Sequence, residues 1–360
     1  MNPTTPDILV VGAGVAGLTS ALALRREGAR VMVIDQGPPG REASWAGGGI
    51  LCPLYAWRYP DPVLALATLG MRQYPDLIDS LRFETDPERV VSGMRILDPT
   101  GQGETIDKIG HRLTRFGIRH EWLDQRDVPG PALSLPEVAN VRNPRLLRAL
   151  LETAAVEGVE VHGERPGTEL LFDGDRVTGV QTPSGPLHAG AVVVAAGAWS
   201  RPLIPGALPE SIFPVRGQML RLAAGAAEGL PGIVMERGTY LIPRLDGAVI
   251  VGSTVEHAGF DKHVDRPAQE ALHRHAIGMH PSLASARVTH RWAGLRPGSA
   301  DEVPVLGAHP GVEGLWANTG GYRNGLAMAP ATASVLADLM AGREPPTDAW
   351  PYRVERILEG

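Results

Sequence analysis

The chain has 360 residues, of which 43% are hydrophobic, with a formal net charge of −6 and a pI near 6.0. This length predicts two domains, or one large α/β unit with an insertion. The negative charge gives no electrostatic reason to expect a nucleic acid or an anionic membrane as partner. The single cysteine, Cys52, excludes an intrachain disulfide and a cysteine-based zinc or iron–sulfur site, and we expect no metal.

The hydropathy pattern also bears on location. No apolar run reaches the roughly 18 residues that span a bilayer. The start of the chain has no basic region before its apolar stretch. We therefore expect a cytoplasmic protein without a membrane partner.

The first informative segment, residues 7–37, predicts a complete βαβ unit. Ile8–Val11 is a short apolar run typical of a buried parallel strand. Helical spacing of apolar residues follows up to Gly28, a residue that suits a helix C-terminus. A second strand, Val31–Ile34, ends at Asp35.

The loop of this unit carries the spacing G-x-G-x-x-G. Gly12 permits a tight turn, Gly14 lets the backbone approach a pyrophosphate, and Gly17 lets the helix lie close to the sheet. The helix N-terminus offers free N–H groups to the phosphates, and Asp35 is placed to accept from a ribose hydroxyl. The pattern predicts a dinucleotide site but does not choose between NAD and FAD.

Further elements follow along the chain. Residues 142–162 predict a helix and then a strand, and residues 174–200 predict a hairpin that leads to an apolar strand, 191–196. Helical spacing returns at residues 324–340.

The middle of the chain has a different character. Residues 211–300 contain short apolar runs separated by turn residues, which predicts a separate antiparallel sheet. A regular hairpin with Arg244 opposite Ala248 would place Tyr240 opposite Gly252, leaving space beside the phenol.

Seven segments lie in order along nearly the whole chain: VVGAGVAGL (10–18), GREASWAGGGIL (40–51), VVVAAGAWS (192–200), PVRGQML (214–220), TYLIPR (239–244), WAGLRPGS (292–299) and GGYRNGLAMAP (320–330). Together they resemble the FAD-dependent amine oxidases of the D-amino acid oxidase superfamily, and within it the glycine oxidase family.

This resemblance implies an α/β (α+β) fold with a Rossmann-like FAD-binding domain and a second, antiparallel-sheet substrate-binding domain. The FAD-binding domain would be assembled from residues 1–85, 140–213 and 300–360. The substrate-binding domain would be assembled from residues 86–139 and 214–299.

The resemblance also implies FAD as cofactor. Related sarcosine oxidases attach flavin to a cysteine in the C-terminal part of the chain, which this sequence lacks, so we expect noncovalent FAD. The glycine run at 47–49 would let backbone approach the flavin ring, and Gly167 lies near the expected adenine contact. The residues expected to bind the cofactor are Gly12, Gly14, Val15, Ala16, Gly17, Asp35, Gln36, Ala43, Ser44, Gly47, Gly48, Gly49, Ile50, Gly167, Gly197, Gly321, Tyr322, Arg323, Asn324, Gly325 and Leu326.

Three residues match the family's substrate site. Arg296 would bind the carboxylate of an amino acid, Tyr240 would donate a further hydrogen bond, and Arg323 would lie at the substrate and flavin. A structural salt bridge from Arg296 to Asp301 or Glu302 is the alternative for this arginine.

The implied reaction is oxidative deamination of glycine and small amines by hydride transfer to flavin N5, with no general base required. Oxygen would be reduced to hydrogen peroxide, and the imine hydrolysed to the oxo acid and ammonia. A role in thiamine thiazole biosynthesis and a homo-oligomer, a tetramer by resemblance, are also implied. Gly238 and Val255 replace larger or more polar residues of relatives and predict a roomier pocket for sarcosine, N-ethylglycine or small D-amino acids.

Three other functions compete with this interpretation. The nearest is a D-amino acid or proline dehydrogenase of the same fold that passes electrons to an acceptor other than oxygen. A non-catalytic or tRNA-modifying FAD protein is the second, although related tRNA-modifying enzymes have extra basic surface or an added domain. A plain NAD dehydrogenase is the third, and it leaves the segments at 40–51 and 320–330 unexplained.

Overall fold

A computed structural model describes residues 5–101, 103–124 and 130–358. Within these ranges the α-helices are α1 (Val15–Arg26), α2 (Ala43–Ala46), α3 (Asp61–Ser80), α4 (Ile106–Arg115), α5 (Asn143–Val156), α6 (Arg266–Met279) and α7 (Gly325–Met340). Short 3₁₀ helices lie at Ala56–Arg58, Gly197–Trp199, Arg201–Leu203, Pro281–Ser285, Trp350–Tyr352 and Val354–Ile357.

The strands of the described residues form four sheets. They are β1 (Ile8–Val11), β2 (Val31–Ile34), β3 (Val90–Val91), β4 (Met94–Leu97), β5 (Glu121–Trp122), β6 (Ala132–Leu135), β7 (Ala139–Asn140), β8 (Glu160–His162), β9 (Glu169–Asp173), β10 (Arg176–Thr182), β11 (Gly185–His188), β12 (Ala191–Val194), β13 (Ile212–Leu222), β14 (Ile233–Glu236), β15 (Thr239–Pro243), β16 (Val249–Gly252), β17 (Val288–Ser299), β18 (Val305–Ala308) and β19 (Leu315–Thr319).

The first sheet confirms the predicted Rossmann-like unit. Its strand order is β18-β19-β12-β1-β2-β8, and every neighbouring pair is parallel except β18 with β19. Because parallel strands end at the same edge, the residues that follow β1, β2 and β12 meet there. This edge brings together Gly12, Asp35 and Ala195.

Helices α1 and α3 both pack against α7, which orients the N-terminus of α7. A Cβ atom at position 70 of α3 would lie 2.1 Å from the carbonyl oxygen of Ala327, so glycine is required for this close approach. The Tyr74 hydroxyl donates a 2.6 Å hydrogen bond to the carbonyl of Leu326, in the first turn of α7. The first turn of α7 is therefore fixed by buried contacts.

The second large sheet has the order β17-β13-β16-β15-β14-β4-β6-β5. It combines strands from both segments, 86–139 and 214–299, that we predict as one domain. Its pairs are antiparallel, as expected, except that β14 runs parallel to β4. The domain boundaries themselves stay a prediction.

The predicted hairpin register is confirmed. Tyr240 lies opposite Gly252, and the Arg244 N–H donates to the carbonyl of Ala248 at 2.8 Å. The strand expected at 191–196 ends at Val194, because the chain then turns into a 3₁₀ helix.

Three antiparallel strands form a sheet in the order β11-β10-β9, and β3 pairs with β7. None of the helices in the described ranges is long and apolar enough to cross a bilayer.

Candidate active site

The glycine-rich loop after β1 is shaped by contacts that exclude side chains. Gly12 has φ +114°, and a Cβ there would lie 2.3 Å from the carbonyl oxygen of Ala195. A Cβ at position 17 would lie 1.8 Å from the carbonyl oxygen of Gly12. Gly17 therefore lets α1 lie against the loop, as the sequence predicts.

The N-cap residue of α1 is Gly14, which has no side chain to accept from the N–H groups of the first turn. Val15 donates to the Ser44 hydroxyl at 2.9 Å. Asp35 accepts from the backbone of Ala13 at 2.7 Å and of Gly37 at 3.0 Å. Burial raises the pKa of Asp35, because the charged carboxylate is partly withdrawn from water. The other N–H groups of this turn can donate to phosphates, and Asp35 can also accept from a hydroxyl.

A cavity of about 460 Å³ extends from this loop to the face of the second large sheet. Among the predicted cofactor residues, Gly17 and Asn324 do not line it. Gly17 contacts the loop backbone, and Asn324 is buried at the N-cap of α7. The predicted residues that line the cavity are Gly12, Gly14, Val15, Ala16, Asp35, Gln36, Ala43, Ser44, Gly47, Gly48, Gly49, Ile50, Gly167, Gly197, Tyr240, Arg296, Gly321, Tyr322, Arg323, Gly325 and Leu326.

Two glycines of the run at 47–49 are required by the protein's own packing. A Cβ at position 49, where φ is +81°, would lie 2.0 Å from the carbonyl oxygen of Val141. A Cβ at position 48 would lie 2.8 Å from Cδ1 of Ile242. Residues 48 and 49 must lack side chains, as we predict, but the immediate reason is their contact with neighbouring protein segments.

Arg244 holds this run in place from the second sheet. Its guanidinium donates to the Gly48 carbonyl at 2.8 Å, to the Asn140 side-chain oxygen at 2.7 Å and to the Val141 carbonyl at 2.9 Å. Burial lowers the pKa of Arg244 to about 10. The residue therefore stays charged at neutral pH and joins the two parts of the cavity wall.

On the cavity face of the second sheet, Gly252 lies between two larger side chains. Met219 of β13 pairs with Gly252 of β16, which pairs with Tyr240 of β15. A Cβ at position 252 would lie 2.6 Å from Cε2 of Tyr240. The space that we predict beside the phenol is thus filled by the phenol ring itself, which lies over Gly252.

Arg296 of β17 lies over a second glycine of this face. A Cβ at position 217 would lie 2.3 Å from Arg296 Nη2 and 2.4 Å from Cζ. Nη2 donates to the Ser253 hydroxyl at 2.6 Å, and Nη1 donates to the carbonyls of Arg216 at 3.3 Å and Thr254 at 3.2 Å. Arginine has five N–H donors, so two remain that meet no carbonyl or carboxylate of the described residues.

The alternative prediction for Arg296, a structural salt bridge to Asp301 or Glu302, is wrong within the described residues. Asp301 pairs with Arg356 at 2.5 Å, and neither Asp301 nor Glu302 forms an ion pair with Arg296. Burial lowers the pKa of Arg296, the adjacent Tyr240 hydroxyl raises it, and the nearby cation Arg323 lowers it. A ligand carboxylate would relieve this unfavourable environment.

The segment after β16 contacts residues that line the cavity. Its Phe260 ring lies 5.3 Å from the ring of Trp199, which lines the cavity. Its Lys262 forms a 2.8 Å ion pair with Glu42, which also lines the cavity. The segment therefore links the substrate-side sheet to the parts of the chain that we predict as cofactor-binding.

Two residues expected to enlarge the pocket lie elsewhere. Gly238 has φ +83° in the turn between β14 and β15, and its N–H donates to the Tyr55 hydroxyl. Val255 is 45% exposed, and neither residue lines the cavity. The prediction of a roomier pocket from these positions is therefore wrong.

Sequence reasoning missed four residues of the site: Gly217, Met219, Arg244 and Ser253. A glycine inside a predicted strand, such as Gly217, often marks close backbone or ligand approach, and that signal was available. No local sequence pattern indicates the contacts of Arg244 and Ser253, because their partners lie far away in the sequence.

The chain is similar to known proteins along nearly its whole length. The family described as FAD dependent oxidoreductase matches residues 7–339. Glycine oxidase of Pseudomonas aeruginosa is 46% identical, over 96% of this chain and 97% of that protein. The bifunctional protein ThiO/ThiG of Synechocystis is 32% identical, over 94% of this chain and 52% of that protein. The crystal structure of glycine oxidase from Geobacillus kaustophilus has a TM-score of 0.87 at 26% identity and covers 99% of this chain and 100% of its own.

The cavity fits the cofactor of this family. The glycine-rich loop and the first turn of α1 line the cavity with backbone rather than bulky side chains, and that turn has N–H groups that could donate to phosphates. Asp35 stands at the end of β2, where a ribose is bound in such folds. By motif, fold and matched length, the chain belongs to the FAD dependent oxidoreductase family, in the D-amino acid oxidase superfamily, and FAD is its cofactor.

Proposed function

We propose that the protein catalyses the oxidative deamination of glycine and of small amines such as sarcosine, N-ethylglycine and small D-amino acids. The observation that carries this proposal is the pair of N–H groups that Arg296 leaves without a carbonyl or carboxylate partner in the described residues. They lie in the same cavity as the dinucleotide loop. When bound, FAD accepts a hydride equivalent from the substrate Cα–H.

Arg296 binds the substrate carboxylate through two parallel charge-assisted hydrogen bonds. Tyr240 adds a hydroxyl donor: its oxygen faces the Arg296 guanidinium, and its proton makes only a weak 3.9 Å contact to the sulfur of Met219. Arg323 lines the cavity as a second cation. Fixing the carboxylate in this way limits the orientations of the substrate Cα–H.

No base on the protein is needed in this proposal. Within the described residues, the acids that line the cavity are Asp35 and Glu42, and no histidine lines it. Asp35 lies at the dinucleotide loop, and Glu42 is paired with Lys262. In this proposal the substrate amine loses its proton to water before or during binding.

The cofactor contacts follow from the same geometry. The N-terminus of α1 binds the pyrophosphate, Asp35 binds a ribose hydroxyl, and Gly167 lies on the adenine side. The backbone of 47–50 and the N-terminus of α7 border the flavin, where the helix dipole favours negative charge. We propose noncovalent binding.

The buried Cys52 supports noncovalent binding. Its thiol contacts the Pro53 carbonyl, and burial raises its pKa to about 12. It is therefore protonated and a poor nucleophile at neutral pH.

The first test is the visible spectrum of the purified protein without oxygen, before and after glycine is added. We expect a yellow flavin that glycine bleaches. A yellow protein that neither glycine, sarcosine nor small D-amino acids bleach would contradict the proposed substrate class. Arg296→Ala should retain flavin. Its kcat/KM should fall by the equivalent of about 2–5 kcal/mol, mostly because KM rises.

Oxygen is the proposed electron acceptor. Glycine-dependent oxygen consumption with formation of hydrogen peroxide, glyoxylate and ammonia would support it. Bleaching by glycine together with reduction of an artificial dye, but without oxygen consumption, would instead establish a dehydrogenase of the same fold.

A role in thiamine thiazole biosynthesis is also proposed, supported by similarity to the ThiO/ThiG protein. The tetramer and the cytoplasmic location stay predictions, which light scattering and cell fractionation test.

A further inference from the structure

Ser253 occupies a defined place beside the substrate end of the cavity. It directly follows Gly252, the last residue of β16, and lines the cavity although its own surface is 9% exposed. Its hydroxyl oxygen lies 2.6 Å from Arg296 Nη2, the shortest hydrogen bond of that guanidinium. The serine is therefore in direct contact with the cation that we propose as the carboxylate site.

The chemistry of the two groups fixes the direction of this bond. A guanidinium has no acceptor, so the Ser253 oxygen must accept. The hydroxyl proton is then available, and no described residue accepts it within hydrogen-bond distance. A buried hydroxyl proton that faces a cavity favours a ligand with an acceptor oxygen.

Ser253 also limits how Arg296 can turn. Nη1 is bonded to two backbone carbonyls, Nη2 is bonded to Ser253, and the guanidinium lies over Gly217. These contacts on both terminal nitrogens fix the plane of the group. A guanidinium fixed in this way presents its two remaining N–H groups in one orientation.

We infer that Ser253 is a positioning and binding residue for the substrate: it orients Arg296 and donates its own hydroxyl proton to the same carboxylate. This inference rests on the proposed function. A carboxylate has about four lone-pair sites. Two N–H groups of Arg296, the Ser253 hydroxyl and the Tyr240 hydroxyl supply four donors for them.

The test uses the FAD-loaded full chain and compares Ser253→Ala, Ser253→Cys and Ser253→Thr with the unchanged enzyme. Steady-state kinetics with glycine give KM and kcat. Acetate, a carboxylate without an amine, is titrated against the flavin spectrum to give its Kd. Ser134→Ala is the matched control, since Ser134 is a serine of β6 in the same sheet outside the cavity lining.

We expect Ser253→Ala to raise both the KM for glycine and the Kd for acetate about tenfold, with kcat within about threefold. Ser253→Cys, which keeps a side chain of similar size but is a poor hydrogen-bonding group, should do the same. Ser253→Thr restores the hydroxyl and should return the acetate Kd to within about threefold. Ser134→Ala should change neither constant.

Unchanged KM and acetate Kd in Ser253→Ala, or in Ser253→Cys should the alanine variant lose FAD, would overturn the role of Ser253. Arg296→Ala separates this failure from failure of the proposed function. If Arg296→Ala binds acetate as tightly as the unchanged enzyme, the carboxylate site itself is wrong. If it loses acetate while both serine variants keep it, the inference about Ser253 alone is wrong.

Discussion

Gly217 lies directly beneath the guanidinium of Arg296, and a Cβ atom at position 217 would stand 2.3 Å from Nη2. The two residues are on adjacent strands, β13 and β17, whose register pairs Gly217 with Gly294 and Val215 with Arg296. The arginine side chain therefore folds over a part of the sheet that has no side chain.

Gly217→Ala should displace the guanidinium, because the methyl group and Arg296 cannot occupy the same space. We expect the KM for glycine to rise about 10- to 100-fold, a loss of roughly 1.4–2.7 kcal/mol, while FAD stays bound. Steady-state kinetics and the flavin spectrum measure both effects.

Gly278→Ala is the control for this substitution. Gly278 is an exposed residue of α6 with open space at its Cβ position. Alanine there should leave KM unchanged and stabilise the helix by about 0.5–1 kcal/mol. A Gly217→Ala enzyme with the KM of the unchanged enzyme would contradict the contact.

Arg244→Met should weaken FAD binding. The substitution leaves the carbonyls of Gly48 and Val141 and the side-chain oxygen of Asn140 without their donor, and each buried orphan costs about 1–3 kcal/mol. We expect the Kd for FAD to rise at least tenfold, measured by fluorescence of released flavin.

Arg221→Met is the comparison, since Arg221 is a partly exposed arginine of the same sheet that pairs with Asp246. Its loss should cost less than about 1 kcal/mol and leave FAD affinity unchanged. Equal FAD affinity in both variants would show that Arg244 does not hold the glycine run.

Phe260→Ala should release FAD faster. The Phe260 ring packs on Trp199, which lines the cavity, and such aromatic pairs contribute about 0.5–1.5 kcal/mol. We expect a rise in the FAD dissociation rate of about 2- to 12-fold. Phe172→Ala, at a similarly exposed phenylalanine of β9, should leave the rate unchanged. Equal rates in the two variants would exclude a covering role for the segment.

Cys52 should not react with Ellman's reagent in the native protein. Burial raises its pKa to about 12, so at pH 8 about one thiol in 10⁴ is ionised. The thiol should react fully in denaturant, giving one equivalent per chain. Fast reaction of the native protein, with or without FAD, would contradict this burial.

Much of the fold could be predicted because local chemistry specifies it. The first βαβ unit follows from glycines that the turn requires and from apolar runs on either side. The register of Tyr240 with Gly252 followed from the turn after Arg244, because in a hairpin the turn sets the pairing. The family segments then placed Arg296 and Tyr240 in one site.

Other features depend on distant parts of the chain. The parallel pairing of β14 with β4 joins strands about 140 residues apart, and no hydropathy pattern specifies it. The bond from Arg244 to Gly48 spans 196 residues. Gly238 and Val255 were misplaced because proximity in sequence to Tyr240 and Gly252 does not determine which face of the sheet or turn a residue occupies.

The segment that begins at Ser253 and reaches Lys262 links the two ends of the cavity. One end bonds to the guanidinium of Arg296, and the other contacts Trp199 and Glu42, which line the cavity. We expect a bulky dinucleotide to exchange only when these contacts open, whereas glycine is small enough to exchange while they are made. On this expectation the cofactor stays bound through many turnovers while substrate and product exchange.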